Sequence, residues 1–161
     1  MNDRTVKTAV KRLLAQQHYG VLATESDNGT PHLALMAFVS VDDLAGIVCV
    51  TPRHTRKFTH ICQRPAVAFL VDDRNEHSDR LMSIITVEAH GDAAELTPER
   101  IPDYRALFLA KYPHLSDFVT ATSSVMLRIA VERYDVVDHF QQVLVLPVTK
   151  SGGGVIWPSS Q

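Results

Sequence analysis

The chain has 161 residues, of which 45% are hydrophobic and 21% are charged, a composition typical of one soluble globular domain. Its formal net charge of −2 argues against a general nucleic-acid binder, and it contains no apolar run long enough to span a bilayer. The amphipathic N-terminus lacks the pattern of a secretory signal, so we expect a cytoplasmic protein that is not associated with membranes.

Apolar spacing predicts one helix and three strands in the first third of the chain. Helical spacing of apolar residues predicts an N-terminal helix over 4–18. The segments 19–26 and 31–41 have strand patterns, and the sequence DNGT at 27–30 between them is typical of a hairpin turn. The apolar run IVCVT at 47–51 predicts the third strand.

The remaining segments continue this mainly β pattern. The fourth strand, RPAVAFLVDD, is nearly all apolar, which predicts burial on both of its faces. Gly91 lies within the fifth strand and marks a bulge or bend. The other elements expected are helices over 52–63 and 97–112 and strands over 83–96 and 123–138.

Six strands joined mostly by hairpin-length turns predict a small closed antiparallel barrel with flanking helices, two of which cover its ends. A barrel of this size holds no cofactor inside, so a site must lie on the outer wall, with the contact between two barrels as the favoured place. The strands over 31–41 and 64–73 carry more apolar surface than one such core absorbs, which favours a homodimer.

The second predicted helix carries cations at the end where they are disfavoured. Thr51 is a candidate N-cap, and Pro52 suits the first helical position. Arg53, Arg56 and Lys57 then share one face. Each exposed cation at a helix start typically forgoes about 0.3–1 kcal/mol.

The next helix shows the usual arrangement, because Glu99 and Asp103 follow Thr97 at its predicted start. An anion bound at the start of the basic helix would make its cations favourable, since the free N–H groups and the helix dipole also point there. A solvated basic patch is the alternative interpretation, and the charges alone leave both open.

Cysteine and histidine spacing gives little support to a disulfide or a metal. Cys49 and Cys62 cannot form a disulfide framework and lack metal-ligand spacing. His90 and Asp92 share one predicted strand face, and two ligands do not hold a zinc ion. We therefore predict no metal site.

Three segments appear in a characteristic order: GVLATESDNGTPHLALMAFV, IVCVTPRHTRKFTHICQRPAVAFLVDD and ITVEAHGDAAEL. Together they resemble the FMN-binding split-barrel family related to pyridoxamine 5′-phosphate oxidase, over residues 17–137. The sequence is most similar to the barrel domain of haem iron-utilisation proteins, which carry a similar His-Thr-Arg motif, here at 54–56. The resemblance implies a six-stranded antiparallel split β-barrel that forms a homodimer with FMN at the subunit interface.

The resemblance also implies which residues hold the flavin phosphate. The predicted contacts are those of the turn from the third strand into the basic helix, namely Thr51, His54, Thr55, Arg56 and Lys57. Arg56 would offer a planar fork of donors and Lys57 a point charge, which suits a phosphate that carries close to two negative charges.

By the same resemblance, the isoalloxazine ring would lie along the second strand. The predicted contacts are Leu35, Met36, Ala37 and Phe38, all of which would otherwise be core residues. His32 stands near the position of a basic residue in the oxidase and would face the phosphate; a strand-surface histidine is the equal alternative. His139, Tyr134 and Trp157 are candidates to line the substrate side.

Two departures from the family limit the expected activity. The segment ERYDVVDHFQQV lacks the oxidase's late Arg-x-His element, which speaks against oxidation of pyridoxamine phosphate. Residues 137–140 replace a glycine-rich segment of the haem-utilisation proteins, which speaks against haem breakdown.

The sequence thus favours an FMN-binding oxidoreductase that acts on a small substrate or electron donor. The alternatives are a haem-binding or haem-degrading barrel, and a non-catalytic binder of flavin or of the deazaflavin F420. We expect a barrel domain over 1–146 and a tail over 147–161 that could reach the partner subunit.

Overall fold

Seven strands and four helices make up the part of the chain that the computed structural model describes, residues 3–77, 79–138 and 142–148. The strands are β1 (Tyr19–Glu25), β2 (Pro31–Val41), β3 (Gly46–Pro52), β4 (Ala66–Asp72), β5 (Thr86–Glu95), β6 (Ser124–Asp138) and β7 (Gln142–Pro147). The helices are α1 (Asp3–Gln16), α2 (Arg56–Gln63), α3 (Ile101–Lys111) and α4 (Ser116–Thr120). His139, Trp157 and nearly all of the tail over 147–161 lie outside the described residues.

Six of the strands close into an antiparallel barrel. They follow one another around the wall in the order β3-β2-β1-β4-β5-β6, and β3 pairs with β6 to complete the ring. The length of β6 allows this closure, because its first part pairs with β3, its last part pairs with β7, and β5 pairs along both. The predicted six-stranded barrel is confirmed, and β7 is an additional strand that we did not predict.

Side chains that alternate along the strands fill the interior of the barrel. Phe38, Phe69 and Tyr134 are the largest of those that are fully buried. The hydroxyl of Tyr134 donates a hydrogen bond to the carbonyl oxygen of Leu44 at 2.7 Å. Tyr134 is therefore a core residue, and the prediction that it lines a substrate site is wrong.

Two helices cover opposite ends of the barrel, as predicted. Val10 of α1 and Ile61 of α2 both belong to the buried cluster inside the barrel. Lys7 of α1 forms an ion pair with Asp43, just after the end of β2. His60 of α2 lies beside His32, near the start of β2, with 5.6 Å between their ring centroids.

A second apolar core lies outside the barrel, where α3 and α4 pack on the wall. Tyr104, Phe108 and Val119 of these helices cover the outward side chains of β3, which include Val48 and Val50. Strand β3 is consequently buried on both faces.

Burial on both faces was predicted for the fourth strand, and that prediction is wrong. Along β4, Val67, Phe69 and Val71 point into the barrel, whereas Leu70 on the other face is 36% exposed. The strand sequences of β3 and β4 are similarly apolar, but of these two strands only β3 has a described helix packed over its outer face.

Gly91 marks the predicted irregularity in β5. The register between β5 and β6 shifts between His90 and Gly91, so the predicted irregularity is confirmed, although the unpaired residue, Glu132, lies on β6. A Cβ atom at Gly91 would lie 2.0 Å from the carbonyl oxygen of Ala130 on β6. Only glycine allows the two backbones to approach this closely.

Lys111 joins the end of α3 to the end of α1. Its ammonium group donates hydrogen bonds to the carbonyl oxygens of Leu14 at 3.1 Å and Gln17 at 2.6 Å, and it lies 4.2 Å from the centroid of the Phe38 ring. These contacts satisfy carbonyl groups that a helix leaves open at its C-terminus. Burial lowers the pKa of Lys111 from 10.5 to about 8.

We predict that raising the pH from about 7.5 to about 9.5 stabilises the wild-type protein relative to Lys111→Met. In this window the folded state releases the Lys111 proton while the unfolded state retains it, so the free energy of unfolding rises with pH. Urea unfolding of both proteins at both pH values measures this difference. An identical pH dependence of the two proteins would contradict the lowered pKa.

Candidate functional site

Strand β3 continues further than the sequence predicted, and α2 begins later. Thr51 is buried in β3 opposite Val125, and the backbone N–H of Arg53 still donates to the carbonyl oxygen of Ser123 at 2.7 Å. Helix α2 starts at Arg56, with Thr55 as its N-cap residue. The predictions of Thr51 as N-cap and Pro52 as first helical residue are therefore wrong, because pairing with β6 holds both residues in the sheet.

Arg53 does not belong to the group of cations on the helix. Its guanidinium makes two hydrogen bonds to the carboxylate of Glu95 on β5, at 3.1 and 2.7 Å, and lies over the ring of Phe58. The predicted common face of Arg53, Arg56 and Lys57 is therefore wrong. His54 occupies the exposed turn between Arg53 and the helix.

Arg56 and Lys57 remain as the cations of the first turn of α2. Arg56 is exposed and Lys57 is half-buried. Neither forms an ion pair with any described residue. The nearby Arg64, by contrast, pairs with Glu25 at 3.1 Å. We refer to residues 51–57 as the strand–helix junction.

The N–H groups at the start of α2 also lack a capping side chain. The hydroxyl of Thr55 donates to the carbonyl oxygen of Pro52 at 3.0 Å and lies 3.2 Å from the hydroxyl of Thr51, and it makes no capping hydrogen bond. A capping side chain typically contributes about 1 kcal/mol to a helix. The junction thus combines open N–H groups, the positive end of a helix dipole and two cations without a counter-ion, an arrangement that suits an anion.

A cleft of about 240 Å³ lies beside the junction and brings together residues from three parts of the chain. Of the predicted site residues, five line it: Leu35, Met36, Ala37, Thr51 and Lys57. The others in its wall are Val50, Pro52, Phe108, Leu115 and Phe118. The last three come from α3, α4 and the turn between them, and we did not predict them because α4 has no clear sequence signal.

Phe38 and His32 lie away from this cleft. The side chain of Phe38 is fully buried inside the barrel, and its backbone N–H and carbonyl groups both bond to the hydroxyl of Tyr112, at 3.1 and 2.7 Å. His32 packs against His60, whose Nδ1 lies 2.9 Å from the hydroxyl of Thr24.

An exposed apolar surface continues from the cleft across the barrel wall. Its large side chains are Tyr19 on β1, Leu33 and Leu35 on β2, and Leu70 on β4, and we call this set the outer apolar face. Leu35 is 71% exposed. Leu35 and Leu70 both pair with Val21 between them, so the face is continuous across the three strands.

The fold and the cleft define a split-barrel protein with a basic strand–helix junction. Residues 6–138 match the pyridoxamine 5′-phosphate oxidase family, and the chain belongs to that family. Among the described residues, none of the helices has both the length and the apolar character needed to cross a membrane.

One relative is the 5a,11a-dehydrotetracycline/5a,11a-dehydrooxytetracycline reductase of Streptomyces rimosus subsp. rimosus. It is 33% identical over 86 residues, which cover 52% of this chain and 58% of the reductase. The match therefore spans little more than half of either protein.

Two solved structures have the same fold. A haem-binding protein from Mycobacterium smegmatis has a TM-score of 0.78 at 14% identity, covering 88% of this chain and 57% of that one. An FAD-binding protein from Mesorhizobium loti has a TM-score of 0.64 at 17% identity, covering 80% of this chain and 91% of that one. Identities this low establish the fold alone.

Proposed function

We propose that the chain is an FMN-binding oxidoreductase that holds the flavin phosphate at the strand–helix junction. The observation that carries this proposal is the open start of α2, where Arg56 and Lys57 lack a counter-ion next to a largely apolar cleft. Membership of the pyridoxamine 5′-phosphate oxidase family and the similarity to a reductase support the same function.

The residues at the junction fit a phosphate group. Arg56 can donate two parallel hydrogen bonds to phosphate oxygens, and Lys57 adds a second charge from within the cleft wall. The Thr55 hydroxyl, which now bonds to the Pro52 carbonyl, can turn to an oxygen placed at the helix start. His54, in the exposed turn before it, is a further proposed contact.

The cleft wall fits the apolar part of a flavin. Leu35, Ala37 and Phe118 can exclude water from one side of a flat aromatic ring, and the strand backbone can address its polar edge. Met36, which also lines the cleft, is a further proposed contact, and Phe38 and His32, which lie away from the cleft, are proposed as more remote ones. Bound FMN would supply hydride or electron transfer, and the protein would orient it and control access of the substrate.

We further propose that a homodimer completes the site. A cleft of about 240 Å³ is smaller than the roughly 300–1,000 Å³ typical of cofactor sites. The outer apolar face runs directly from Leu35 in this cleft to Leu70 on β4. A second copy packed on this face would bury those side chains and add the missing wall.

We predict that Leu33→Asp and Leu70→Asp each convert the dimer into a monomer, because a buried carboxylate without a partner costs several kcal/mol. Light scattering after size-exclusion chromatography measures the mass of each protein. Leu107→Asp on α3, at a residue that is also exposed, is the matched control and should leave the mass unchanged. A wild-type protein that is monomeric at micromolar concentration would contradict the proposed dimer.

Identification of the bound molecule tests the cofactor. The purified protein is denatured, and the released small molecules are identified by absorbance and mass. We expect FMN to be released. Release of F420 instead would still agree with a phosphate bound at the junction, but it would mean that a deazaflavin carries the redox chemistry. Reduction of the loaded protein by NADH or NADPH then separates an oxidoreductase from a non-catalytic binder.

Haem binding is a second candidate function, favoured by the fold shared with the haem-binding protein from Mycobacterium smegmatis. His54 is exposed at the junction and is the described histidine best placed to reach a ligand bound there. Titration with haem would give a Soret band that His54→Ala removes. Release of FMN from the purified protein, with no Soret band on titration, would exclude this candidate.

A further inference from the structure

Glu88, His90 and Asp135 form a cluster on the outside of the barrel, separate from the strand–helix junction. Glu88 and His90 are outward-facing neighbours on β5, and Asp135 stands directly opposite Glu88 on β6. One nitrogen or oxygen atom from each of the three residues lies within 4.8 Å of the others. All three side chains are partly buried.

The carboxylates of Glu88 and Asp135, which stand opposite each other on β5 and β6, repel each other. Like charges directly opposite each other on paired strands are destabilising. Arg133 pairs with one oxygen of Asp135 at 3.2 Å, which leaves the other oxygen and the Glu88 carboxylate facing His90. The structure therefore gathers two carboxylates against one imidazole and one guanidinium, and the guanidinium pairs with Asp135.

The geometry around His90 is unusual for an ion pair. Its Nε2 atom lies 3.0 Å from Asp135 Oδ2 and 3.4 Å from Glu88 Oε1. This nitrogen is shielded from solvent, yet it makes no hydrogen bond to any described residue, because neither oxygen lies along its bonding direction. A protonated imidazole paired with a carboxylate would gain most by directing its N–H at the oxygen.

The spacing fits a shared metal ion. Ligand atoms about 2.1 Å from a metal lie about 3.0 Å apart at a right angle and about 3.4 Å apart at the tetrahedral angle. The two distances from His90 Nε2 equal these values, and the oxygens of Glu88 and Asp135 lie within 4.8 Å of each other. Glu88 is the most exposed of the three, and rotation of its side chain can bring its carboxylate to the same point.

We propose that Glu88, His90 and Asp135 bind one divalent first-row transition-metal ion, such as Zn²⁺. One imidazole and two carboxylates form a borderline-to-hard ligand set that suits Zn²⁺, Mn²⁺ or Co²⁺ more than Ca²⁺. The ion would link β5 to β6 next to the irregularity at Glu132 of β6 and would offset the repulsion between the carboxylates. The cluster adjoins Leu70 of the outer apolar face, which pairs with Glu88, but it shares no residue with the cleft or the strand–helix junction.

Cobalt binding tests this proposal. The untagged protein is treated with a chelator, desalted and titrated with Co²⁺, whose visible absorption reports its ligands. We expect one Co²⁺ per chain, displaced by Zn²⁺, with affinity at least about tenfold weaker in His90→Ala and in Glu88→Gln. Zn²⁺ should raise the melting temperature of the wild-type protein by more than that of Glu88→Gln.

Two variants separate this site from adventitious binding at the surface. His114→Ala removes an exposed histidine, and Glu132→Gln removes an exposed carboxylate of β6, and both should retain wild-type Co²⁺ affinity. Absence of Co²⁺ binding in the wild-type protein, or equal affinity in folded Glu88→Gln, would overturn the proposal and leave an ordinary charge cluster. Both readouts are obtained without flavin, so they do not depend on the proposed function.

Discussion

Simultaneous replacement of Arg56 and Lys57 by alanine is expected to abolish retention of FMN. The two side chains are the cations of the first turn of α2, and neither has a counter-ion among the described residues. Hydrogen bonds to charged groups contribute about 1.5–3 kcal/mol each, so the loss of both should weaken binding at least about a hundredfold. Flavin absorbance per chain after purification, followed by titration with FMN, measures the loss.

The matched control removes the same charge from a different helix. Arg4→Ala with Arg12→Ala takes two exposed arginines from α1 and should leave FMN affinity within about twofold of the wild type. Unchanged FMN occupancy in the Arg56→Ala, Lys57→Ala protein would mean that the phosphate binds elsewhere. Equal losses in both double variants would point to net charge instead of a specific contact.

Gly91→Ala is expected to cost at least about 3 kcal/mol of the free energy of unfolding. The new Cβ would lie 2.0 Å from the carbonyl oxygen and 2.8 Å from the carbonyl carbon of Ala130, both backbone atoms of the paired strand β6. The strands would have to separate at the bulge, and overpacking against backbone costs more than overpacking against a flexible side chain. Native domains have only about 5–15 kcal/mol of stability, so partial unfolding is expected.

Gly29→Ala provides the control for this second prediction. Gly29 has a positive φ of 84°, but a Cβ there would meet only a side-chain oxygen of Glu25, at 3.4 Å. The expected cost is about 1–2 kcal/mol, from the left-handed backbone alone. Urea unfolding gives both values. A loss for Gly91→Ala no larger than that for Gly29→Ala would contradict the close approach of β5 and β6.

Local patterns in the sequence were sufficient to predict the barrel. Apolar runs and apolar alternation identified β1 to β6, and the DNGT turn identified the first hairpin, because these signals arise within a few residues. Burial was less predictable. Strands β3 and β4 are similarly apolar, and only the packing of α3 and α4, more than 40 residues away in sequence, distinguishes them.

The errors at the candidate site have the same origin. Thr51 and Pro52 have the residue types of a helix start, but pairing with Val125 and Ser124 keeps them in β3. Arg53 was grouped with the helix cations because its partner, Glu95, is distant in sequence. The proximity of Asp135 to His90 was equally hidden, because the two residues meet only through the register of β5 against β6.

We propose that the start of α2 binds the phosphate of a flavin nucleotide. Equilibrium titration of the flavin-free protein with FMN and with riboflavin, which differ only in that phosphate, tests it most directly. We expect the wild-type protein to bind FMN at least about a hundredfold more tightly than riboflavin. We expect the double variant Arg56→Ala, Lys57→Ala to lose this preference. Equal affinity of the wild-type protein for the two flavins would contradict it.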